Sequence, residues 1–166
     1  MSAKLSILII EDEKNICDFI AAALMNQDYR VFKSYSGTDG LSQITSRCPD
    51  ILLLDLGLPD MDGTDIIREV RKWSAMPVIV ISARTLENEK VLALDLGADD
   101  YITKPFGTSE LLARIRTAVR HLTRINATNS TSHIFRANGL VIDFDRRRIT
   151  VREGDLRRLD PEFLIK

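Results

Sequence analysis

Three stretches of this sequence, Leu5 to Ile10, Ile51 to Leu54 and Pro77 to Ser82, are nearly unbroken runs of large apolar residues. A strand with one wet face alternates apolar and polar positions, whereas a strand apolar throughout is buried on both faces, as happens in a parallel sheet covered by helices. The intervening segments supply those helices. Ile16, Phe19, Ile20, Ala23 and Leu24 recur at helical spacing, Thr38 to Arg47 turns Leu41 and Ile44 inward, and Gly63 to Trp73 presents Ile66, Ile67 and Val70. A fourth helix is expected near Leu86 to Leu96, stopped by Gly97, and a fifth over Ser109 to Leu122 with Thr108 or Ser109 as cap. Arg30 to Ser34 and Tyr101 to Thr103 complete the strands. Five strands alternating with five helices define a doubly wound α/β domain with a five-stranded parallel sheet and helices on both faces.

That domain is expected over residues 1–122, a polar linker over 123–133, and a small antiparallel β segment from 134 to 166, with turns at Asn138-Gly139 and Glu153-Gly154. Leu159-Asp160-Pro161 reads as a helix start, and the chain ends after barely one turn of it. The 45% apolar and 28% charged residues suit a protein with a full core, and the net charge of -1 gives no basic footprint for nucleic acid. Arg146 to Arg148 and Arg157-Arg158 read as exposed hairpin charges. Cys17 and Cys48 lack metal-ligand spacing, and no apolar run reaches the ~18 to 20 residues that span a bilayer, so a cytoplasmic protein with reduced thiols and no membrane contact is expected.

Why, then, does the run Ile51 to Leu54 end on Asp55? A carboxylate there is costly to desolvate. In an open parallel sheet, ligands bind outside the carboxyl ends of the strands. Those ends carry Glu11 and Asp12 after the first strand, Asp55 after the third, Ser82 on the fourth and Lys104 beyond the fifth. Unit charges ~4 Å apart interact by about 4 kcal/mol at a typical effective dielectric, so three converging carboxylates call for a counter-ion. Oxygen donors with room for water suit Mg²⁺, or Mn²⁺ in its place, and the backbone carbonyl of Gly57 could complete the set. Beside such a cation Asp55 is a nucleophile for phosphoryl transfer, with Ser82 and Lys104 placed to bind phosphoryl oxygens.

From about Leu5 to His121 these residues resemble the receiver domain of two-component response regulators. The resemblance is carried by Glu11-Asp12-Glu13, Asp55-Leu56-Gly57-Leu58-Pro59, Asp62-Gly63, Ser82-Ala83-Arg84, Gly97-Ala98-Asp99-Asp100-Tyr101 and Lys104-Pro105-Phe106. It implies a flavodoxin-like sheet of strand order 2-1-3-4-5. It further implies that Asp55 accepts phosphate from a sensor histidine kinase, in a self-catalysed reaction of a phosphoacceptor and not an enzyme proper. Glu11, Asp12, Asp55 and the Gly57 carbonyl would hold Mg²⁺, Ser82 and Lys104 would sense the phosphate, Tyr101 would be the switch aromatic, and the Lys104-Pro105 peptide would be cis.

Gly139 to Asp143 and Leu159 to Phe163 resemble the start of the OmpR/PhoB winged-helix effector domain, its β-platform without a recognition helix. DNA reading is expected only from a complete winged-helix domain. The same subfamily implies a homodimer through the fourth helix, fifth strand and fifth helix. The matching positions are Lys90 with Glu110, Asp100 with Arg114, an apolar patch of Val91, Leu94 and Ala113, and Asp99 with His121, a pair that would weaken as pH rises through neutrality.

Singly, these residues have plainer readings: Asp55 as a turn former, Ser82 as a satisfied strand-end hydroxyl, Tyr101 as a sheet aromatic. The constellation outweighs them. Asp60-Met61-Asp62-Gly63-Thr64 matches the DxDGT pattern of haloacid-dehalogenase-like phosphatases, but Asp60 lies in a loop and not at a strand end. A nucleotide- or flavin-binding module lacks its glycine-rich loop here and would meet Glu11 to Glu13. A receiver-like interaction module that works without phosphorylation is the remaining alternative.

Overall fold

The computed structural model describes residues 4–128, 134–137, 140–143 and 148–151. Their contacts divide the chain into two units, Met1–Val119 and Arg120–Lys166. The first contains β1 (Ser6–Ile10), α1 (Lys14–Asn26), β2 (Arg30–Ser34), α2 (Gly37–Arg47), β3 (Ile51–Leu54), α3 (Gly63–Arg71), β4 (Val78–Ser82), α4 (Glu87–Asp95), β5 (Asp100–Thr103) and the body of α5 (Thr108–Thr128). The five strands form one parallel sheet in the order β2-β1-β3-β4-β5, as expected.

The three apolar runs are its centre. Every residue of β3 and β4 is buried, and so are Ile7 to Ile10 of β1. Each such Leu, Ile or Val contributes about 1.5 to 3 kcal/mol when fully buried. Residues of β1, β3 and β4 pack with Ile44 of α2 and with Ile66, Ile67 and Val70 of α3 in one core. The register is what positions chemistry. Ile10 lies beside Leu54 and Leu54 beside Val80, so β1 and β3 end level with each other, and Ser82 stands beside Thr103.

Helix starts follow capping chemistry. Ser36 accepts a hydrogen bond from the Asp39 N–H at the head of α2, and Asp62 accepts one from Thr64 at the head of α3. Gly97, at φ 117°, turns the chain out of α4, a conformation that favours glycine.

One element differs from the sequence reading. The last helix, expected to end at Leu122, runs to Thr128, so the first part of the expected linker is helical. No Gly or Pro interrupts 109–128, and Ala118, Leu122 and Ile125 continue the helical spacing. Of α4, only Ala93 is buried, while Val91, Leu92 and Leu94 are exposed, as is Leu86 just before the helix.

In the second unit, β6 (Ile134–Ala137), β7 (Leu140–Asp143) and β8 (Arg148–Val151) form an antiparallel sheet in that order. Ala137 lies opposite Leu140, on either side of Asn138-Gly139. The remaining linker residues, the Glu153-Gly154 turn and the helix start at Leu159 fall outside the described residues. Among those described, no helix is long and apolar enough to cross a membrane.

Candidate functional site

The sheet delivers three carboxylates to one place. The Asp55 N–H donates to the Ile10 carbonyl at 2.9 Å and the Glu11 N–H to the Ser34 carbonyl at 3.0 Å, so both residues are fixed by ladder-like bonds just past the strand ends. Glu11 is 1% and Asp55 6% exposed, with Asp12 half-buried beside them. One carboxylate oxygen from each of Glu11, Asp12 and Asp55 lies within 4.8 Å of the others.

Lys104 reaches in from the far side. Its N–H donates to the Ser82 carbonyl at 2.9 Å, and its Nζ donates to Glu11 Oε2 at 2.8 Å and to Asp55 Oδ2 at 3.4 Å. The peptide to Pro105 is cis, as the family resemblance implied. Asp55 Oδ1 accepts from the Gly57 N–H at 3.2 Å, and Glu11 Oε1 from the Glu13 N–H at 3.2 Å. The Glu13 side chain is exposed to solvent.

The charge balance is uneven: three carboxylates face one ammonium. Burial pushes the Glu11 carboxyl up from 4.5 to about 7, opposed by the Lys104 hydrogen bond and reinforced by the charge of Asp55. Burial disfavours the Lys104 ammonium, but the Glu11 hydrogen bond and the Asp55 charge outweigh it and hold its pKa above the usual lysine value. A cluster of hard oxygen donors with surplus negative charge, two of its members withdrawn from water, fits a divalent cation.

Around the mouth lie the other expected residues. Ser82 is 1% exposed, and its Oγ accepts from the Arg84 N–H at 3.1 Å. Tyr101 packs against the core, with its hydroxyl donating to the Arg84 carbonyl at 2.8 Å and the Lys90 ammonium 5.7 Å from its ring centre. The Arg84 guanidinium reaches the Leu56 carbonyl at 3.4 Å and Asp62 Oδ2 at 3.1 Å, tying the loop after β3 to the loop after β4.

The DxDGT aspartates both act as helix-end acceptors. Asp60 accepts from the N–H groups of Gly37 and Thr38 at 2.8 Å and from Thr38 Oγ1 at 2.7 Å, and Asp62 caps α3. Asp60 thus works at the N-terminus of α2, where dipole and free N–H groups favour a negative charge.

The sequence reading missed three contributors: Asp60 as a tether, the Arg84–Asp62 bridge and Arg71. Asp62-Gly63-Thr64 before an apolar helix carried a cap signal. For the reach of Arg71 to Gly97 and Asp99 no local signal existed, because these partners are 26 and 28 residues away in sequence.

Of the expected dimer residues, Val91, Leu94, Glu110, Ala113, Asp99 and His121 are exposed, while Lys90, Asp100 and Arg114 are half-buried. Arg114 Nη1 bonds both carboxylate oxygens of Asp100 at 3.0 Å, and Arg114 Nη2 bonds Glu110 at 3.2 Å, all within one chain. Asp99 bonds Arg71 in the same way.

A doubly wound sheet in this order with clustered acids and a lysine at its carboxyl edge defines a class. The chain belongs to the response regulator receiver domain family, matched over residues 7–116, and to its OmpR/PhoB subfamily. Among characterised proteins it is similar to the KDP operon transcriptional regulatory protein KdpE of Escherichia coli, 44% identical over 158 residues that make up 95% of this chain and 69% of the relative. It is also similar to the response regulator ArlR of Staphylococcus aureus, 38% identical over 157 residues, 95% of this chain and 68% of that one. Among solved structures, the CheY-like receiver domain protein of Methanospirillum hungatei superposes with a TM-score of 0.69 at 29% identity, covering 72% of this chain and 96% of that one. The BeF3-activated receiver domain of Klebsiella pneumoniae RstA gives 0.67 at 32%, covering 69% and 98%.

Proposed function

We propose that residues 1–122 are a phosphoacceptor module in which Asp55 takes a phosphoryl group from the phosphohistidine of a sensor kinase with Mg²⁺, or Mn²⁺, at the acidic cluster. One observation carries this reading: the carboxylate ending the central strand shares a 4.8 Å cluster with Glu11 and Asp12 and is touched by the Lys104 ammonium. An Asp55 oxygen attacks phosphorus, the P–O bond forms, and the P–N bond to the donor imidazole breaks as that imidazole takes a proton. Glu11, Asp12, Asp55 and the Gly57 carbonyl would hold the cation, which would supply charge neutralisation. Lys104 and Ser82 then take phosphoryl oxygens, so Lys104 trades part of its bond to Asp55 for one to the phosphate. Ser82 Oγ accepts from the Arg84 N–H and the Arg84 carbonyl accepts from the Tyr101 hydroxyl, so a shift of Ser82 toward the phosphoryl group reaches Tyr101 through Arg84, which makes Tyr101 the switch residue.

The downstream partner is a second copy of the chain, through α4, β5 and α5. The exposed Val91 and Leu94 on α4 support this face, with Ala113, the exchanged charge pairs Lys90–Glu110 and Asp100–Arg114, and Asp99 and His121 as its further expected members. Likeness to KdpE suggests a KdpD-like sensor kinase and control of a potassium-transport operon. In this reading β6, β7 and β8 belong to the β-platform of a winged-helix domain.

Incubation with Mg²⁺ and acetyl phosphate, followed by intact mass and size-exclusion elution, tests the proposal. A Mg²⁺-dependent gain of about one phosphate, lost in Asp55→Ala and accompanied by dimerisation, supports it. No uptake refutes it and leaves an interaction module that works without phosphorylation.

A further inference from the structure

Arg71 closes α3, and its side chain, 20% exposed, runs beneath the corner where α4 turns into β5. Its Nε donates to the Gly97 carbonyl at 2.9 Å, its Nη1 to the carbonyls of Met76 at 2.6 Å and Ser74 at 3.2 Å, and its Nη2 to Asp99 Oδ2 at 3.0 Å. The same Asp99 oxygen accepts from the Val78 N–H at 2.8 Å, while the Asp99 N–H donates to the Val78 carbonyl at 2.8 Å. One guanidinium therefore joins the end of α3, the loop into β4 and the α4–β5 corner. The backbone is shaped around it: a Cβ at Gly97 would lie 2.9 Å from both Cγ and Nε of Arg71.

On either side of this corner lie the parts of the dimer face. Val91 and Leu94 are exposed just before it, and Asp100, which binds Arg114, follows directly. We propose that Arg71 is a positioning residue for that face, and that Asp99 serves it through this clamp within the chain and not through a charge pair with His121 of a second copy. The inference rests on the dimer reading given above. Its physical basis is that Asp99 Oδ2 already accepts two N–H bonds, one from the head of a buried strand. An added pair between the exposed Asp99 and His121 would contribute little in water. A planar fork serving three carbonyls and a carboxylate is also a role that a lysine ammonium does not reproduce.

The test compares wild type, Arg71→Ala, Arg71→Lys and Asp99→Asn in the full chain. Asparagine keeps an oxygen able to accept from both Val78 and Arg71 but removes the charge. After phosphorylation with phosphoramidate, intact mass reports uptake and sedimentation reports the dimer constant, while amide exchange of Val78 and Asp99 is read on the unphosphorylated proteins. Asp99→Asn should dimerise within about threefold of wild type at about pH 6 and about pH 8 alike. Both Arg71 variants should take up phosphate normally, exchange those two amides faster, and dimerise about tenfold more weakly, the scale of a displaced interface anchor. Asp99→Asn weakening the dimer as much as Arg71→Ala with exchange still slow would overturn the proposal, as would Arg71→Ala dimerising like wild type. A wild type that is phosphorylated yet monomeric would refute the dimer reading instead. There, faster exchange in Arg71→Ala would still support the clamp and unchanged exchange would overturn it.

Discussion

The ammonium of Lys104 lies 2.8 Å from Glu11 Oε2, two residues 93 positions apart in sequence and joined across the top of the sheet. Both side chains are withdrawn from water, at 12% and 2% exposure. Removing one partner of a buried pair costs about 3 to 5 kcal/mol because the other is left uncompensated, with the lower end fitting a site as partly open as this one. Above about pH 7, where Glu11 is ionised, Lys104→Ala is therefore expected to lose about 3 kcal/mol in urea unfolding without divalent ions. Removing the ammonium also raises the surplus of negative charge, so millimolar Mg²⁺ should restore a larger share of stability in Lys104→Ala than it adds to wild type.

Glu11 links the site to pH. Its folded value of about 7 stands above the ordinary 4.5, so between those limits the folded chain holds a proton that the unfolded chain releases. Stability without a divalent ion is thus expected to fall as pH rises from 4.5 to about 7, by the linkage relation. A cation requires the ionised form, so Mg²⁺ should bind more tightly as pH rises through that window and change little above it. Thermal shifts with and without Mg²⁺ across the window measure this, and Glu11→Gln should flatten the profile.

Gly63 opens α3 directly beneath Asp55. A Cβ there would lie 2.6 Å from the Asp55 carbonyl oxygen and 2.6 Å from Leu56 Cα, both backbone atoms. Gly63→Ala should cost about 1 to 3 kcal/mol, the usual scale of forced overpacking. The displacement falls on Asp55 itself, so phosphoryl uptake from acetyl phosphate should slow along with the loss of stability.

Asp60 makes the opposite pH prediction from Glu11. Hydrogen bonds from the side chain and N–H of Thr38 and from Gly37 lower its pKa from 3.8 to about 2. The ionised form is favoured by folding, so this contribution is complete above about pH 4 and is lost as pH falls through about 2. The stability difference between wild type and Asp60→Ala, measured by urea unfolding, should narrow steadily over that acid range.

The fold was legible because its signal is coarse. Ile51 to Leu54 and Val78 to Ile81 can be satisfied only between two layers of helices, and the strand ends follow from where the apolar runs stop. The acidic cluster was legible for the same reason: Glu11 and Asp55 sit immediately after such runs, where strand register fixes them. Helix ends were less so, since nothing in 123–128 marks a stop and α5 continues through it. Partner choice was least legible. Asp99, Asp100 and Arg114 carry charges that suit contacts between copies, but the chain satisfies them internally through Arg71 and each other, contacts set by tertiary placement. Asp60 shows how a motif misleads, since its carboxylate serves Gly37 and Thr38, more than twenty residues earlier.

In the proposed reaction Asp55 bears the phosphoryl group. Phosphorylating the chain with acetyl phosphate and Mg²⁺, reducing the acyl phosphate with borohydride, and sequencing the peptides by mass spectrometry locates it directly. Conversion of the aspartate at position 55 to homoserine is expected, dependent on Mg²⁺ and absent at positions 12, 60 and 62. Conversion at Asp60, or none at any aspartate, would contradict the proposed reaction.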